Sequence, residues 1–182
     1  QYRKKNKQPI QVDFEDVDLS LFRDFPNFSF LLKNFAITGK GDFEGTLLAK
    51  GEAAEFSFDL LSLLSKTSPV KINSVSLNKP EINVLVLPDG KANYDITVPS
   101  GQQAEETNTE TDYSGFQINL KSYGIENGQI TYDDQSGDMF IEIKDLNHSG
   151  SGNFTIDIFD LDTKSTIEEM TFSMGGISYL KK

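Results

Sequence analysis

The sequence predicts a mainly β protein: a curved antiparallel sheet built from repeated hairpin and meander units, with one or two short helices at about residues 16–25 and 60–65. Three observations carry this. Apolar and polar residues alternate in short runs such as Phe56-Ser57-Phe58 and Ile82-Asn83-Val84, the period of a strand with one apolar face. Proline, asparagine, aspartate and glycine end these runs, each favouring a turn for its own steric reason. Two segments also match others further along the chain.

Gln1–Gln8 gathers Arg3, Lys4, Lys5 and Lys7 and reads either as a solvated end or as the start of a membrane-proximal segment. Val12–Glu15 alternates as a short strand. Asp16–Phe25 reads as a helix, with Asp16 or Asp18 as N-cap and Leu19, Phe22 and Phe25 along one face. Pro26-Asn27 ends it. Phe28–Ile37, Phe43–Leu48 and Ala54–Leu60 are strand candidates, the first broken by Gly39-Lys40-Gly41. Leu60, Leu61, Leu63 and Leu64 suffice for one helical turn, which Ser68-Pro69 stops. Val70–Leu77 and Glu81–Leu87 follow as antiparallel strands separated by Asn78-Lys79-Pro80, and Pro88-Asp89-Gly90 closes the second.

Pro99–Asp112 has no large apolar residue and four acidic ones, too little apolar area to offset the entropy of ordering. It divides the chain into a first β unit (1–98), an acidic linker or loop (99–114) and a second β unit (115–182). In the second unit Phe116–Leu120, Gln129–Asp133, Met139–Lys144 and Asn153–Phe159 are strand candidates, with Ser165–Met174 and Gly176–Leu180 as a final pair. Asn127-Gly128 is a strong hairpin signal, and Gln135-Ser136-Gly137 supplies another turn.

A shift of 111 residues lays Leu32–Thr46 over Ile143–Asp157, with Lys33/Lys144, Gly39/Gly150, Gly41/Gly152 and Phe43/Phe154 identical. A shift of 48 lays Val75–Val84 over Tyr123–Tyr132. Repeated units that each expose an apolar face assemble into an elongated sheet. The Gly-x-Gly pairs do not open a helix, as a phosphate loop must, so a bend or bulge is the better account.

The 182 residues allow one domain or two small ones. Fourteen phenylalanines and six tyrosines concentrate the apolar area in large rings, and there is neither Cys nor Trp. Without cysteine there is no disulfide, thiolate nucleophile or thiolate metal site. A formal charge of −11 disfavours nucleic acid, which needs a cationic face. The chain has no run of about 18 apolar residues that would span a bilayer.

His148 stands alone in Asn147-His148-Ser149-Gly150, with no Gly-x-Ser-x-Gly turn to serve and no second nitrogen or sulfur ligand for zinc. Asp133, Asp134 and Asp138, and the sparser Asp157, Asp160 and Asp162, lack the spacing of a calcium loop. Acidic loops of this kind keep apolar sheets from pairing edge to edge. We therefore expect no catalytic residue, no cofactor, no metal and no enzyme activity.

The segment Leu60-Leu61-Ser62-Leu63-Leu64, the strand pair around Pro80 and the ending Asp89-Gly90-Lys91-Ala92-Asn93-Tyr94-Asp95-Ile96 resemble the N-terminal region of AsmA-family proteins in their Bacteroidetes form. Val12–Gly45, with Val17-Asp18-Leu19-Ser20-Leu21-Phe22 and Phe25-Pro26-Asn27, is similar to the family's opening. The resemblance covers about residues 10 to 98, and the rest more loosely. These motifs are packing and turn residues, so they point to a fold family better than to an activity. The resemblance implies a Gram-negative envelope protein in the periplasm, held to the inner membrane by an anchor upstream of Gln1. It also implies a part in outer-membrane biogenesis or glycerophospholipid traffic, in a wider group whose hydrophobic β-grooves carry lipid.

Two functions of different class follow. In the first, an apolar groove takes phospholipid acyl chains, lined by Phe56, Phe58, Ile82, Val84, Val86, Met139, Ile141, Ile143, Phe154, Ile156 and Ile158. In the second, the same strands pack into two closed cores and serve as a scaffold or a contact for other envelope proteins, with no lipid. A carbohydrate-binding sandwich ranks last, because the tyrosines are scattered.

Overall fold

The alternating runs become eleven strands of one mixed sheet. They are seen in a computed structural model that describes residues 10–21, 25–65, 70–95, 116–152 and 161–181, with 116–119 as backbone alone. In chain order the strands are β1 (Ile10–Asp13), β2 (Asp16–Ser20), β3 (Asn27–Gly39), β4 (Leu47–Asp59), β5 (Val70–Asn78), β6 (Glu81–Val86), β7 (Phe116–Asp134), β8 (Met139–Gly152), β9 (Leu161–Thr166), β10 (Glu169–Met174) and β11 (Ile177–Lys181). The leucine cluster forms the short helix α1 (Leu60–Leu64). Asp59 caps it by accepting a hydrogen bond from the Ser62 N–H at 2.8 Å, which satisfies one of the donors a helix start leaves open.

β3, β4, β5 continued by β6, β7 and β8 run the length of the sheet side by side. β2 and β9 flank one half, against β3 and β8. β1 flanks the other half against β3, and β10 and then β11 lie beyond β8.

Three expectations are corrected. Asp16–Ser20 is a strand, not the start of a helix: Val17 and Leu19 pair across from Leu32 and Phe30, so the two-residue period wins over the weak helical one. Lys33 holds Asp16 and Asp18 as salt bridges, so neither aspartate is left to cap a helix. Residues 22–24, in the rest of that expected helix, lie outside the described residues. Next, β5 and β6 do not form a hairpin. Both run antiparallel to β4 and parallel to β7, so they are one strand line kinked at Asn78-Lys79-Pro80. The third concerns Asn127-Gly128, which makes no turn but a bulge inside the 19-residue β7. The strand expected at Asn153–Phe159 and the linker at Pro99–Asp112 lie outside the described residues.

Those kinks share one cause. Asn34 on β3, Lys79 between β5 and β6, Asn127 on β7 and Asp145 on β8 all have left-handed backbones, with φ between 45° and 51°. The strand register places them on one line across the sheet, which β4 crosses at Gly51 and Glu52. A left-handed residue interrupts the alternation of a strand. The apolar positions change parity at that line: Phe28, Phe30 and Leu32 give way to Phe35 and Ile37, and Tyr123 and Ile125 to Ile130 and Tyr132. Ile141 and Ile143 likewise give way to Leu146 and His148. The apolar side chains thus keep to one face while the sheet creases.

The residues directly after the left-handed positions form the tightest packing. Phe35, Pro80, Gly128 and Leu146 are all buried. A Cβ on Gly51 would come within 2.7 Å of the Phe35 ring, and one on Gly128 within 2.5 Å of Ile125 and 3.3 Å of Pro80, so both sites need glycine to let the rings close. Asn127 tests the crease. Asn127→Val puts a β-branched side chain at φ 51° and is expected to lower stability by about 1–2 kcal/mol. Asn127→Gly should leave it unchanged or raise it. Urea midpoints of the two variants check this.

The two self-matches acquire a meaning here. The shift of 48 is the parallel register itself: Val75 lies beside Tyr123, Glu81 beside Gln129 and Val84 beside Tyr132, so like kinks lie next to like. The segments related by the shift of 111, in β3 and β8, run in opposite directions in the sheet. They nevertheless share a left-handed residue (Asn34, Asp145) and a buried apolar residue after it (Phe35, Leu146). In both, the carbonyl before the crease accepts from a glutamate N–H, Glu15 to Lys33 and Glu168 to Lys144.

Candidate functional site

Contacts between elements are mainly those of hydrogen-bonded neighbours, with α1 set against β4 and β5. No second layer covers either face among the described residues. The buried hydrophobics there are Phe35, Ala54, Val86 and Leu146, with Pro80 beside them, and the other apolar side chains of the central strands are partly exposed. The candidate site is therefore a surface, the apolar face of the creased sheet.

Register builds that face in rows. On one side of the crease Leu19, Phe30, Phe56, Val75 and Tyr123 lie across β2, β3, β4, β5 and β7. Val17, Leu32, Ala54, Leu77 and Ile125 form the next row, and Phe28, Phe58 and Ile72 a third. The ring pairs Phe28–Phe58 and Phe30–Phe56 each sit 6.3 Å apart, tilted, within the range in which aromatic pairs attract. On the other side, Val12, Ile37, Ala49, Ile82, Ile130, Ile143 and Met170 make one row over seven strands. Val84, Tyr132, Ile141, Phe172 and Leu180 follow, then Val86, Asp134, Met139, Met174 and Ile177.

Of the residues singled out in the sequence, Ile82, Val84, Val86, Met139, Ile141 and Ile143 are thus drawn together on β6 and β8 with β7 between them. Phe56 and Phe58 sit across the crease on β4. Phe154, Ile156 and Ile158 lie outside the described residues. Sequence reasoning missed Phe28, Phe30, Ile130 and Tyr132 as members of these rows. The parity change within each strand line was the signal that finds them.

The opposite face carries a run of small polar residues, with Leu31, Leu85 and Phe140 among charged and polar neighbours elsewhere on it. Ser20, Ser29, Ser57, Ser74, Ser122 and Ser151 stand in one row across six strands. The sheet therefore has two chemically unlike sides.

Charge is kept to the margins of the apolar face. Asp134, at the hairpin end, accepts from the Ser136 hydroxyl at 2.6 Å and the Gly137 N–H at 3.0 Å, and these bonds hold its carboxyl below the usual aspartate range. Burial, and then the neighbouring Asp134 charge, raise the Tyr132 phenol above its usual value. At the far margin His148 bonds through Nδ1 to Ser165 Oγ at 2.7 Å and through Nε2 to the Tyr123 hydroxyl at 3.2 Å. The lone histidine is therefore partly buried between β7 and β9.

A separate concavity of about 670 Å³ opens beside the 3-10 turn at Gly41–Phe43. Lys91 spans it to Asp42 at 2.7 Å and Asp89 at 3.1 Å, an exposed network of little energetic weight. Among the described residues no three His, Asp or Glu side chains are grouped to hold a metal, and no helix is long and apolar enough to cross a membrane.

Among the described residues, a sheet with one apolar face and a serine row on the other defines a β module whose chemistry is that of a surface. The chain belongs to the AsmA family, whose model matches residues 7–155, and this is a family of envelope proteins tied to outer-membrane assembly. No curated protein and no solved structure matches the chain.

Proposed function

We propose that this chain is a non-enzymatic phospholipid-handling module of the periplasm, held to the inner membrane by a segment outside this sequence and serving outer-membrane biogenesis. The observation that carries it is the apolar face: rows of partly exposed Phe, Ile, Leu and Val, up to seven strands wide, with no protein layer over them among the described residues. Each such side chain gains about 1.5–3 kcal/mol on full burial, and most of the central ones have received only part of it. Acyl chains laid along the rows supply the rest without any reactive group. The net charge of −11 leaves nucleic acid out of the reading, while contacts with other envelope proteins remain compatible with it.

Solvent extraction of the purified protein followed by mass spectrometry tests this. Phospholipid is expected in the extract in near-stoichiometric amount, and reduced severalfold in an Ile130→Asp variant that places a charge in the longest apolar row. A lipid-free wild-type protein that also takes up no acyl probe would leave a scaffold or contact module as the reading.

A further inference from the structure

We propose that Tyr123, His148 and Ser165 form the head-group contact for a phospholipid whose acyl chains lie on the apolar rows leading to them. This rests on the reading of the apolar face given above and names where the polar end of the ligand goes. The rows themselves point there. Val17, Leu32, Ala54, Leu77 and Ile125 are followed, one strand further on, by His148 and then Ser165. Leu19, Phe30, Phe56 and Val75 are followed by Tyr123. Going from β2 towards β9 the face is hydrocarbon for four strands or more, then turns polar at the margin, where edge strand β9 meets water.

The dimensions fit one lipid tail. The rows from β2 to β7 cover four strand spacings of about 4.8 Å, or roughly 19 Å. One leaflet of a bilayer holds about 15 Å of hydrocarbon. The cluster is also preorganised. Both ring nitrogens of His148 are engaged, at 2.7 Å and 3.2 Å, and the Tyr123 ring leans on the imidazole with centroids 5.3 Å apart. Gly150 leaves room for that arrangement: a Cβ there would sit 2.3 Å from the Tyr123 ring and 2.5 Å from its hydroxyl.

The chemistry suits a phosphodiester. Its oxygens only accept. The two bonds inside the cluster use two of its three protons when the imidazole is neutral, and with Nδ1–H donated to Ser165 Oγ and the Tyr123 hydroxyl donating to Nε2, the exposed Ser165 hydroxyl keeps a proton for the phosphodiester. Tyrosine and histidine also present apolar ring faces to the first carbons of the chains while their polar atoms stay wet.

Two fluorescent probes with the same acyl chains separate the head from the tail: an acyl-labelled phosphatidylcholine and an acyl-labelled diacylglycerol. The doubly substituted Tyr123→Phe, Ser165→Ala protein keeps the ring over Gly150 and removes both hydroxyls. It is expected to bind phosphatidylcholine about tenfold more weakly, the loss of one hydrogen bond to a charged group, with diacylglycerol affinity unchanged. His148→Gln, which retains one donor and one acceptor but no ring, should show a smaller loss in the same direction. Equal affinities of wild type and variants for phosphatidylcholine, or an equal drop for both probes, overturns the head-group assignment and leaves the apolar face standing. Failure of the wild type to bind either probe removes both.

Discussion

Phe35→Ala is expected to lower stability by about 3–5 kcal/mol, the usual range for a buried phenylalanine, although thirteen other phenylalanines remain in the chain. Among the described residues no second layer forms a central core in which to share the loss. Phe35 is 5% exposed because the left-handed Asn34 turns the strand and sets the ring over Gly51, 2.7 Å from where a Cβ would stand. Removing the ring uncovers the crease line on β3 and β4 together. Phe14→Ala and Leu61→Ala are the controls: these side chains are 52% and 73% exposed, and each should change stability by no more than about 0.5 kcal/mol. Urea unfolding of the three variants decides the matter. Equal losses would mean that apolar stabilisation is spread over the whole sheet and that the crease has no special weight.

The same crease explains what was and was not legible in the sequence. Strands were plain wherever two or three alternate residues were apolar, as at Phe56 and Phe58 or Ile141 and Ile143, because that period is local. The helix expected at Asp16–Phe25 failed because Leu19 fits both a helical and a two-residue period. Only pairing with Phe30, eleven residues away in sequence, chooses between them. Asn78-Lys79-Pro80 and Asn127-Gly128 were correctly marked as breaks but read as reversals. Turn residues report that a left-handed or fixed φ is needed, not whether the chain then returns or continues. The self-match at a shift of 48 held the answer, since hairpins set side by side would not have paired Val75 with Tyr123 in parallel register.

The apolar residues of the candidate site were legible one strand at a time, while their assembly into rows was not. Ile82, Ile130 and Ile143 become neighbours only through one parallel and one antiparallel pairing. The Tyr123–His148–Ser165 cluster was harder still, because its members come from three strands and share no motif. His148 was singled out merely for being the one histidine in the chain.

Asn93→Ala should lower stability by about 2–4 kcal/mol. β4 pairs with β6 only as far as Ile82, so the outer edge of β6 from Asn83 onward needs other partners. Asn93 supplies them. Its side-chain oxygen accepts from the Leu85 N–H at 3.0 Å, its amide donates to the Asn83 carbonyl at 2.7 Å, and its own N–H donates to the Leu85 carbonyl at 2.9 Å. One side chain thus stands in for a missing strand, in a place only 4% exposed. Truncation leaves a part-buried donor and a part-buried acceptor unpaired, each costing up to about 1–3 kcal/mol. Asn93→Asp separates the two contributions. Its carboxylate still accepts from Leu85 but sets a negative oxygen against the Asn83 carbonyl, and only the protonated acid can donate there. The carboxyl pKa of the folded variant is therefore raised, and stability should be greater below the ordinary aspartate value and lost as pH rises through the raised one. Amide exchange at Leu85 should accelerate in Asn93→Ala before that of Ile82, which β4 still covers. If Leu85 stays protected in the variant, the edge of β6 is closed by something other than this asparagine.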